Sequence, residues 1–211
     1  MVMLDHYSDD AVAACKSVLI EAMTVLGRHR EHLVLVGGWV PLLLMPECKH
    51  IGSIDVDLAI DSRGIPRHLY ETIGNDLRRA GYRTTDLPNR FERDVGVAGK
   101  HLSVRLDLIT GEYGHAPDCG THELIQGMPV WRSRGVDVAL DHAIEVSVSG
   151  TLPDGGENEV RIRVAAVAAF LVMNPKHRLR WSSVGGADRA RRRRRLRAGE
   201  TRCLRARHGA V

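Results

Sequence analysis

The chain contains 211 residues, of which 44% are hydrophobic and 27% charged, a length that suits one domain of ordinary size or one domain with a small appendage. This apolar fraction excludes a wholly disordered chain, and 21 Gly with 8 Pro exclude a collagen-like repeat. The formal net charge of +4 is unevenly divided, because residues 176–211 hold 13 basic and two acidic side chains whereas residues 1–175 hold 17 basic and 24 acidic ones. The body is acidic and only the end of the chain is basic.

Cysteine usage and hydropathy indicate the compartment. The four cysteines stand far apart without a CxxC pair, and the N-terminal residues lack the pattern of a secretory signal. The longest apolar run, at 33–46, covers about 14 residues and falls short of the roughly 20 that a membrane-spanning helix needs. We therefore expect a reduced, cytoplasmic protein that does not enter a membrane.

Hydrophobic periodicity predicts four elements in the first 60 residues. A capping signal at Ser8 precedes the first of them, Gly37-Gly38 follows the second, and Pro46 stops the third. In chain order they are a helix over 9–30, a strand over 33–36, a short helix over 39–45 and a strand over 54–60.

The same patterns predict five further elements up to residue 173. They are a helix over 66–80, a strand over 102–109, extended segments over 136–148 and 160–164, and a helix over 165–173. Because strands and helices alternate irregularly, we predict an α+β (mixed α/β) domain over 1–173, with a sheet flanked by helices.

Beyond residue 173 the pattern changes abruptly. Residues 191–195 are consecutive arginines, and no apolar periodicity remains over 176–211. Such a segment cannot bury enough apolar surface to offset its ordering entropy. We interpret 174–211 as an arginine-rich tail that is disordered or translated from a shifted reading frame. A tail selected to bind RNA through its positive charge is the functional alternative.

Three aspartates on two predicted strands form the most informative pattern. Asp55 and Asp57 are two residues apart on one strand, so both side chains leave the same face. Asp107 lies inside the apolar strand over 102–109. If the two strands pair, the three carboxylates converge and repel one another unless divalent cations lie among them. Two Mg²⁺ ions held in this way can activate an attacking hydroxyl and steady a leaving pyrophosphate.

The glycine pair adds a second part to this pattern. Gly37-Gly38 lies between a strand and a short helix, where backbone N–H groups can approach a phosphate with no Cβ in the way. Taken singly, a Gly-Gly pair is typical of an ordinary turn, and an Asp-x-Asp pair is typical of a solvated strand edge. Their combination in this order is informative because Asp is disfavoured in strands.

This order of motifs resembles the DNA polymerase β-like nucleotidyltransferase superfamily. The surrounding residues are most similar to the AbiEii-type toxins of bacterial toxin–antitoxin systems, and the resemblance covers roughly residues 30–173. It implies a nucleotidyltransferase-fold sheet flanked by helices, with an altered C-terminal helical part. The segments that carry it are Leu35-Val36-Gly37-Gly38-Trp39, Ser53-Ile54-Asp55-Val56-Asp57-Leu58 and the run over 164–173.

The resemblance also implies a role for each motif residue. The catalytic and metal-binding carboxylates would be Asp55, Asp57 and Asp107, the last as ligand or general base. The residues that hold the triphosphate would be Gly37, Gly38 and Ser53. With two Mg²⁺ ions, the reaction would move a nucleoside monophosphate from an NTP to an acceptor such as the 3′ end of tRNA. A cognate antitoxin would be the protein partner.

The sequence departs from the family pattern after residue 173. The family is expected to continue with a phosphate-binding lysine and a Lys-Asp-x-x-Asp-like helix, whereas Lys176 is the one candidate lysine here and the arginine-rich segment follows it. This departure supports a second hypothesis, a catalytically inactive remnant that binds nucleotide, antitoxin or RNA without turnover. A third hypothesis is a small-molecule nucleotidyltransferase that modifies antibiotics.

Overall fold

The computed structural model describes residues 8–48, 52–65, 72–97, 99–112 and 121–173. The helices are α1 (Asp9–Val25), α2 (Trp39–Leu44), α3 (Ile73–Arg79), α4 (Val136–Asp141) and α5 (Val167–Val172), with 3-10 turns at Gly27–His32 and Pro46–Cys48. The strands are β1 (Leu33–Val36), β2 (Asp55–Ile60), β3 (Arg83–Thr84), β4 (Arg90–Val97), β5 (Lys100–Gly111), β6 (His122–Ile125), β7 (Met128–Ser133), β8 (Ala143–Thr151) and β9 (Glu157–Ala165). The tail over 174–211, with Lys176, lies outside the described residues.

The described strands form one mixed sheet in the order β3-β4-β5-β2-β1-β9-β8. β1 is antiparallel to β2 and parallel to β9, while β2 is parallel to β5. β7 pairs in parallel with the end of β5 and carries β6 on its other side. The predicted α+β class, a mixed sheet flanked by helices, is confirmed for the described part of the chain.

The helix α1 covers one face of this sheet. Ser8 caps its N-terminus by accepting a hydrogen bond from the backbone N–H of Ala11 at 3.2 Å, and two aspartates in the first turn favour the positive end of the helix dipole. Arg93 of β4 donates two hydrogen bonds of 2.9 Å to the carboxylate of Glu21 on α1. A bidentate ion pair therefore supplements the apolar packing of the helix on the sheet.

Strand register separates the two faces of the sheet. Arg93, which contacts α1, is the cross-strand partner of Val104 on β5. Since side chains alternate along a strand, Asp107 lies on the opposite face from Val104. Gly111 shares that face with Asp107, and the side chain of Asp137 on α4 lies directly against it. The sheet is thus covered by α1 on one face and by α4 on the other, which also carries Asp107.

The prediction of an extended segment over 136–148 is wrong in its first half. Residues Val136–Asp141 form α4, which follows Gly135 at a φ of 80°, and only then does β8 begin. The helix buries Val136, Ala139 and Leu140, whose spacing is helical. β-branched residues in a six-residue helix favour a strand locally, so tertiary burial overrides propensity here.

Four of the described strands were not predicted, namely β3, β4, β6 and β7. Only Phe91 and Val95 are buried among the eight residues of β4, so its apolar alternation is too sparse to identify. The predicted helix over 66–80 is observed as α3, and residues 66–71 lie outside the described residues. The predicted helix over 9–30 ends earlier, and a 3-10 turn at Gly27–His32 follows it. Among the described residues, no helix is long and apolar enough to cross a membrane.

A buried histidine–aspartate pair joins the first 3-10 turn to α3. His29 is 1% exposed and Asp76 is 6% exposed, and Nε2 of His29 lies 3.6 Å from Oδ2 of Asp76. Arg28 donates a hydrogen bond of 2.8 Å to Oδ1 of the same aspartate. Burial lowers the pKa of His29, and the neighbouring Asp76 only partly opposes this effect.

The free energy of unfolding is therefore expected to decrease as the pH falls below the ordinary histidine pKa of 6.5. Below that pH the unfolded chain binds a proton at His29 more readily than the folded chain, so acid favours unfolding. Urea unfolding at pH 7.5, 6.5 and 5.5 measures the slope, which we expect to be smaller in a His29→Gln variant. Equal slopes in the two proteins would contradict this assignment.

Candidate functional site

Two of the predicted carboxylates are neighbours across parallel strands. Asp57 of β2 is in register with Asp107 of β5. Residues in register on adjacent strands share a face and lie about 4.8 Å apart in the hydrogen-bonding direction. Asp55 precedes Asp57 by two residues on β2 and so lies on the same face. The three aspartates named from the sequence thus lie together on the face of the sheet opposite α1, and we call them the carboxylate row.

The carboxylate row is largely shielded from water. Asp57 is 8% exposed and Asp107 is 6% exposed, whereas Asp55 is half-buried. Negative charges that are both close together and desolvated are costly unless cations or hydrogen-bond donors compensate them. The site therefore needs groups that compensate the negative charge of the aspartates.

Ser53 supplies one of these donors. Its hydroxyl donates a hydrogen bond of 2.7 Å to Oδ1 of Asp55, and the residue is 3% exposed. A short hydrogen bond from a buried hydroxyl fixes the orientation of the carboxylate. Ser53 thus positions Asp55 in this structure.

The Gly-Gly turn lies beside the carboxylate row because of the pairing between β1 and β2. Val36, the last residue of β1, is the cross-strand partner of Asp57. Gly37 follows at a φ of 77°, which a side chain would strain, and Gly38 precedes the helix α2. Nε1 of Trp39 donates a hydrogen bond of 3.1 Å to the backbone carbonyl of Asp55. This hydrogen bond thus links the segment after the turn to the strand that bears the aspartates.

Gly38 has no room for a side chain. A Cβ at this position would lie 2.7 Å from Oγ and 3.0 Å from Cβ of Ser53. Because the residue has ordinary helical angles, with a φ of −65°, the obstacle is steric contact and not backbone strain. The glycine therefore permits the close approach of the turn to Ser53.

Gly38→Ala is expected to destabilise the protein by about 1–3 kcal/mol, the usual range for overpacking a close-packed site. Thermal or urea unfolding measures this change. The double variant Gly38→Ala/Ser53→Gly removes both obstructing atoms and should recover much of the loss. If the double variant were destabilised by the sum of the two single effects, the steric explanation would be refuted.

Arg90 compensates the charge of Asp107, and the sequence analysis did not identify it. Its Nε donates to Oδ1 of Asp107 and its Nη2 donates to Oδ2, each at 2.7 Å. This contact raises the pKa of Arg90, and the nearby charges of Asp55 and Asp57 act in the same direction. The strand register that pairs Arg90 with Asp107 is a long-range feature, so only the assignment of β4 as the partner of β5 could have revealed it.

The donor set fits a divalent cation in part. Carboxylate oxygens are the ligands that Mg²⁺ prefers, and Asp55 and Asp57 offer them on one face. Both oxygens of Asp107 accept hydrogen bonds from Arg90. Within the described ranges, no group of three His, Cys, Asp or Glu side chains is arranged to hold a metal ion. The site with two Mg²⁺ ions at Asp55, Asp57 and Asp107 stays a prediction.

Cys15 of α1 lies close to Trp39, but it does not contribute a nucleophile. The residue is fully buried, and burial raises the pKa of its thiol to about 12. A thiol with this pKa is protonated at neutral pH and is a poor metal ligand or attacking group. The carboxylates are therefore the candidate reactive groups of the site.

Comparisons of the chain with protein-family models, with curated proteins and with solved structures find no match. Function must therefore be inferred from the residues of the site. Clustered carboxylates are suited to binding a metal–polyphosphate and to displacement at phosphorus.

Proposed function

We propose that this protein is a Mg²⁺-dependent nucleotidyltransferase of the toxin–antitoxin type, with a nucleotidyltransferase-fold sheet. It would transfer a nucleoside monophosphate from an NTP to an acceptor such as the 3′ end of tRNA. The observation that carries this proposal is the parallel register of Asp57 with Asp107, next to the end of β1 from which Gly37 and Gly38 extend. The motif order in the sequence supports the same conclusion.

The residues of the chain have distinct tasks in this reaction. The backbone N–H groups of Gly37 and Gly38 would bind the phosphates, and the missing Cβ of Gly38 lets the turn approach Ser53. Ser53 orients Asp55 through its 2.7 Å hydrogen bond. Mg²⁺ bound at Asp55 and Asp57 would supply positive charge for the triphosphate and for the departing pyrophosphate.

Asp107 is the group that takes a proton. The acceptor hydroxyl forms a bond to the α-phosphorus while the bond to pyrophosphate breaks, and pyrophosphate leaves with that electron pair. The hydroxyl proton passes to Asp107. An ionised carboxylate has about four acceptor positions, and the guanidinium of Arg90 uses two of them.

Incubation of the full chain with each α-³²P-labelled NTP, Mg²⁺ and total tRNA tests the proposal. Label should appear in tRNA, should require Mg²⁺, and should disappear when the 3′-terminal hydroxyl of the tRNA is oxidised. A total protein extract and a panel of aminoglycosides serve as alternative acceptors. If no NTP labels any of these acceptors, the proposed activity is refuted.

A catalytically inactive protein with the same site is the second candidate function. The ion pair between Arg90 and Asp107 favours it, because both oxygens of the third carboxylate accept hydrogen bonds from the guanidinium. Such a protein would bind nucleotide, a cognate antitoxin or RNA without turnover. Equilibrium binding of NTP with Mg²⁺, combined with no label transfer, would identify this function. The contribution of the tail can be tested by comparing tRNA affinity with and without residues 176–211.

A further inference from the structure

Arg105 lies on the same face of the sheet as the carboxylate row. It precedes Asp107 by two residues on β5 and is in register with Asp55 of β2. On its other side it is in register with Glu92 of β4. Its backbone is about 4.8 Å from that of Asp55 and about 6.6 Å from that of Asp107, by strand spacing and rise. The residue is exposed, so its positive charge borders the row on the solvent side.

The side chain of Arg105 forms no hydrogen bond or ion pair within the described part of the chain, although a carboxylate is in register with it on either side. Asp55 accepts a hydrogen bond of 2.7 Å from Ser53, and Glu92 lies 3.9 Å from Nη2 of Arg83. The other arginines of β3, β4 and β5 each form an ion pair, namely Arg83, Arg90 and Arg93. Of the guanidinium groups on these three strands, that of Arg105 is therefore the one available to a ligand.

The position of Arg105 indicates which ligand it meets. A guanidinium is permanently charged, and its paired donors match the oxygens of a phosphate. Because β2 lies between β1 and β5, the glycine turn and Arg105 flank Asp55 from opposite sides. The turn lies on the side of the triphosphate in the proposed reaction, whereas Arg105 shares its strand with Asp107, which takes the proton of the acceptor hydroxyl. A phosphate at Arg105 therefore belongs to the acceptor and not to the NTP.

We propose that Arg105 binds the phosphodiester that precedes the 3′-terminal nucleotide of an RNA acceptor. This inference rests on the proposed function, since it uses the position of the acceptor hydroxyl at Asp107. Contacts with phosphates fix the register of a nucleic acid on a protein without reading its sequence. Arg105 thus places the terminal hydroxyl at Asp107, and the acceptor is an RNA end in preference to a protein side chain or an aminoglycoside, which have no such linkage.

Removal of the charge from the linkage as well as from the protein tests this inference. The probe is a 5′-fluorescein-labelled ribotrinucleotide with the 3′-terminal sequence of tRNA, compared with one whose last linkage is an uncharged methylphosphonate. Both carry a 2′-O-methyl group on the penultimate sugar, which keeps the methylphosphonate stable. Fluorescence anisotropy measures their affinity for the full-length protein, with Mg²⁺ and without NTP.

Arg105→Gln should weaken binding of the charged trinucleotide by about tenfold, which is typical for the loss of a hydrogen bond between charged groups. It should leave binding of the methylphosphonate trinucleotide unchanged, because that ligand already lacks the charge. Arg105→Lys keeps the positive charge but loses the two-point contact, so its affinity should lie between those of the other two proteins. The affinity for NTP should be the same in all three.

Arg161→Gln is the matched control. Arg161 of β9 is 72% exposed, and β9 is three strands from β5, a distance of about 14 Å. This variant changes the net charge of the protein by the same amount and should bind the charged trinucleotide like the unsubstituted protein. Thermal unfolding confirms that each variant is folded.

Three results would overturn the inference. They are an equal loss of affinity for both trinucleotides in Arg105→Gln, an equal loss for the charged one in Arg161→Gln, and no binding of the charged trinucleotide by the unsubstituted protein. A tenfold loss of NTP affinity in Arg105→Gln would also overturn it, since the arginine would then bind the triphosphate. The binding comparison requires no turnover, so a failure of label transfer would refute the proposed activity and leave this result standing.

Discussion

Asp57→Asn is expected to reduce the transfer of nucleotide label by a factor of about 100 to 1,000. The substitution keeps the shape of the side chain but removes one of the two carboxylates that suit a cation. Charge stabilisation by a bound metal contributes several kcal/mol to such a displacement, and each 1.36 kcal/mol corresponds to about a factor of ten in rate. Initial rates with the preferred NTP, at saturating Mg²⁺, measure the effect.

The melting temperature of the same variant shows whether a loss of activity reflects unfolding. Neutralising Asp57 removes its repulsion by Asp107 and Asp55 and also its attraction to Arg90. Because these two effects oppose each other, the activity should fall far more than the stability.

Asp61→Asn serves as the control for Asp57→Asn. Asp61 directly follows β2 and accepts a hydrogen bond of 2.8 Å from Arg63, so it is an ion-paired aspartate of the same segment outside the carboxylate row. We expect this variant to retain full transfer activity. Equal activity in Asp57→Asn and the unsubstituted protein would remove Asp57 from the catalytic site. An equal loss of activity in both variants would show that the effect is not specific to the row.

The strands that carry the aspartates could be predicted because their signals are local. β2 and β5 alternate apolar and polar residues, and a period of two places Asp55 and Asp57 on one face wherever the strand lies in the sheet. The sequence predicts that Asp107 lies near them only if the two strands pair, and it does not determine which strands pair or in which register. That pairing is decided by contacts between residues about 50 positions apart, which no local pattern encodes.

Arg90 could not be predicted for the same reason. β4 buries only Phe91 and Val95, so nothing in its sequence distinguishes Arg90 from the other arginines of the chain. The pairing of β4 with β5, together with the hydrogen bonds of Asn89, determines which carboxylate the guanidinium contacts. A charge-compensating residue is thus harder to find than the charge it compensates, because its position follows from tertiary structure alone.

The protein is expected to lose about 3–5 kcal/mol of unfolding free energy on substitution of Trp39 by Ala, as is usual for a buried aromatic side chain. Trp39 is 1% exposed and is among the largest fully buried side chains described. Total stabilities of ordinary domains are about 5–15 kcal/mol, so this loss would leave a substantial unfolded fraction. Urea unfolding measures it, and the melting temperature should fall correspondingly.

Trp39→Phe separates the support of the site from the stability of the core. Phenylalanine keeps most of the packing but cannot donate the 3.1 Å hydrogen bond to the Asp55 carbonyl, and the loss of such a bond costs about 1 kcal/mol. Ile162→Val on β9 is the control, since it removes a methyl group from a fully buried residue away from the row. Its expected cost in unfolding free energy, roughly 0.5–1.5 kcal/mol, is comparable to that of Trp39→Phe. After correction for the folded fraction, Trp39→Phe should be the less active of the two variants. Only this substitution removes a hydrogen bond to the strand that carries Asp55. Equal corrected activities would mean that Trp39 supports the fold but does not position the carboxylate row.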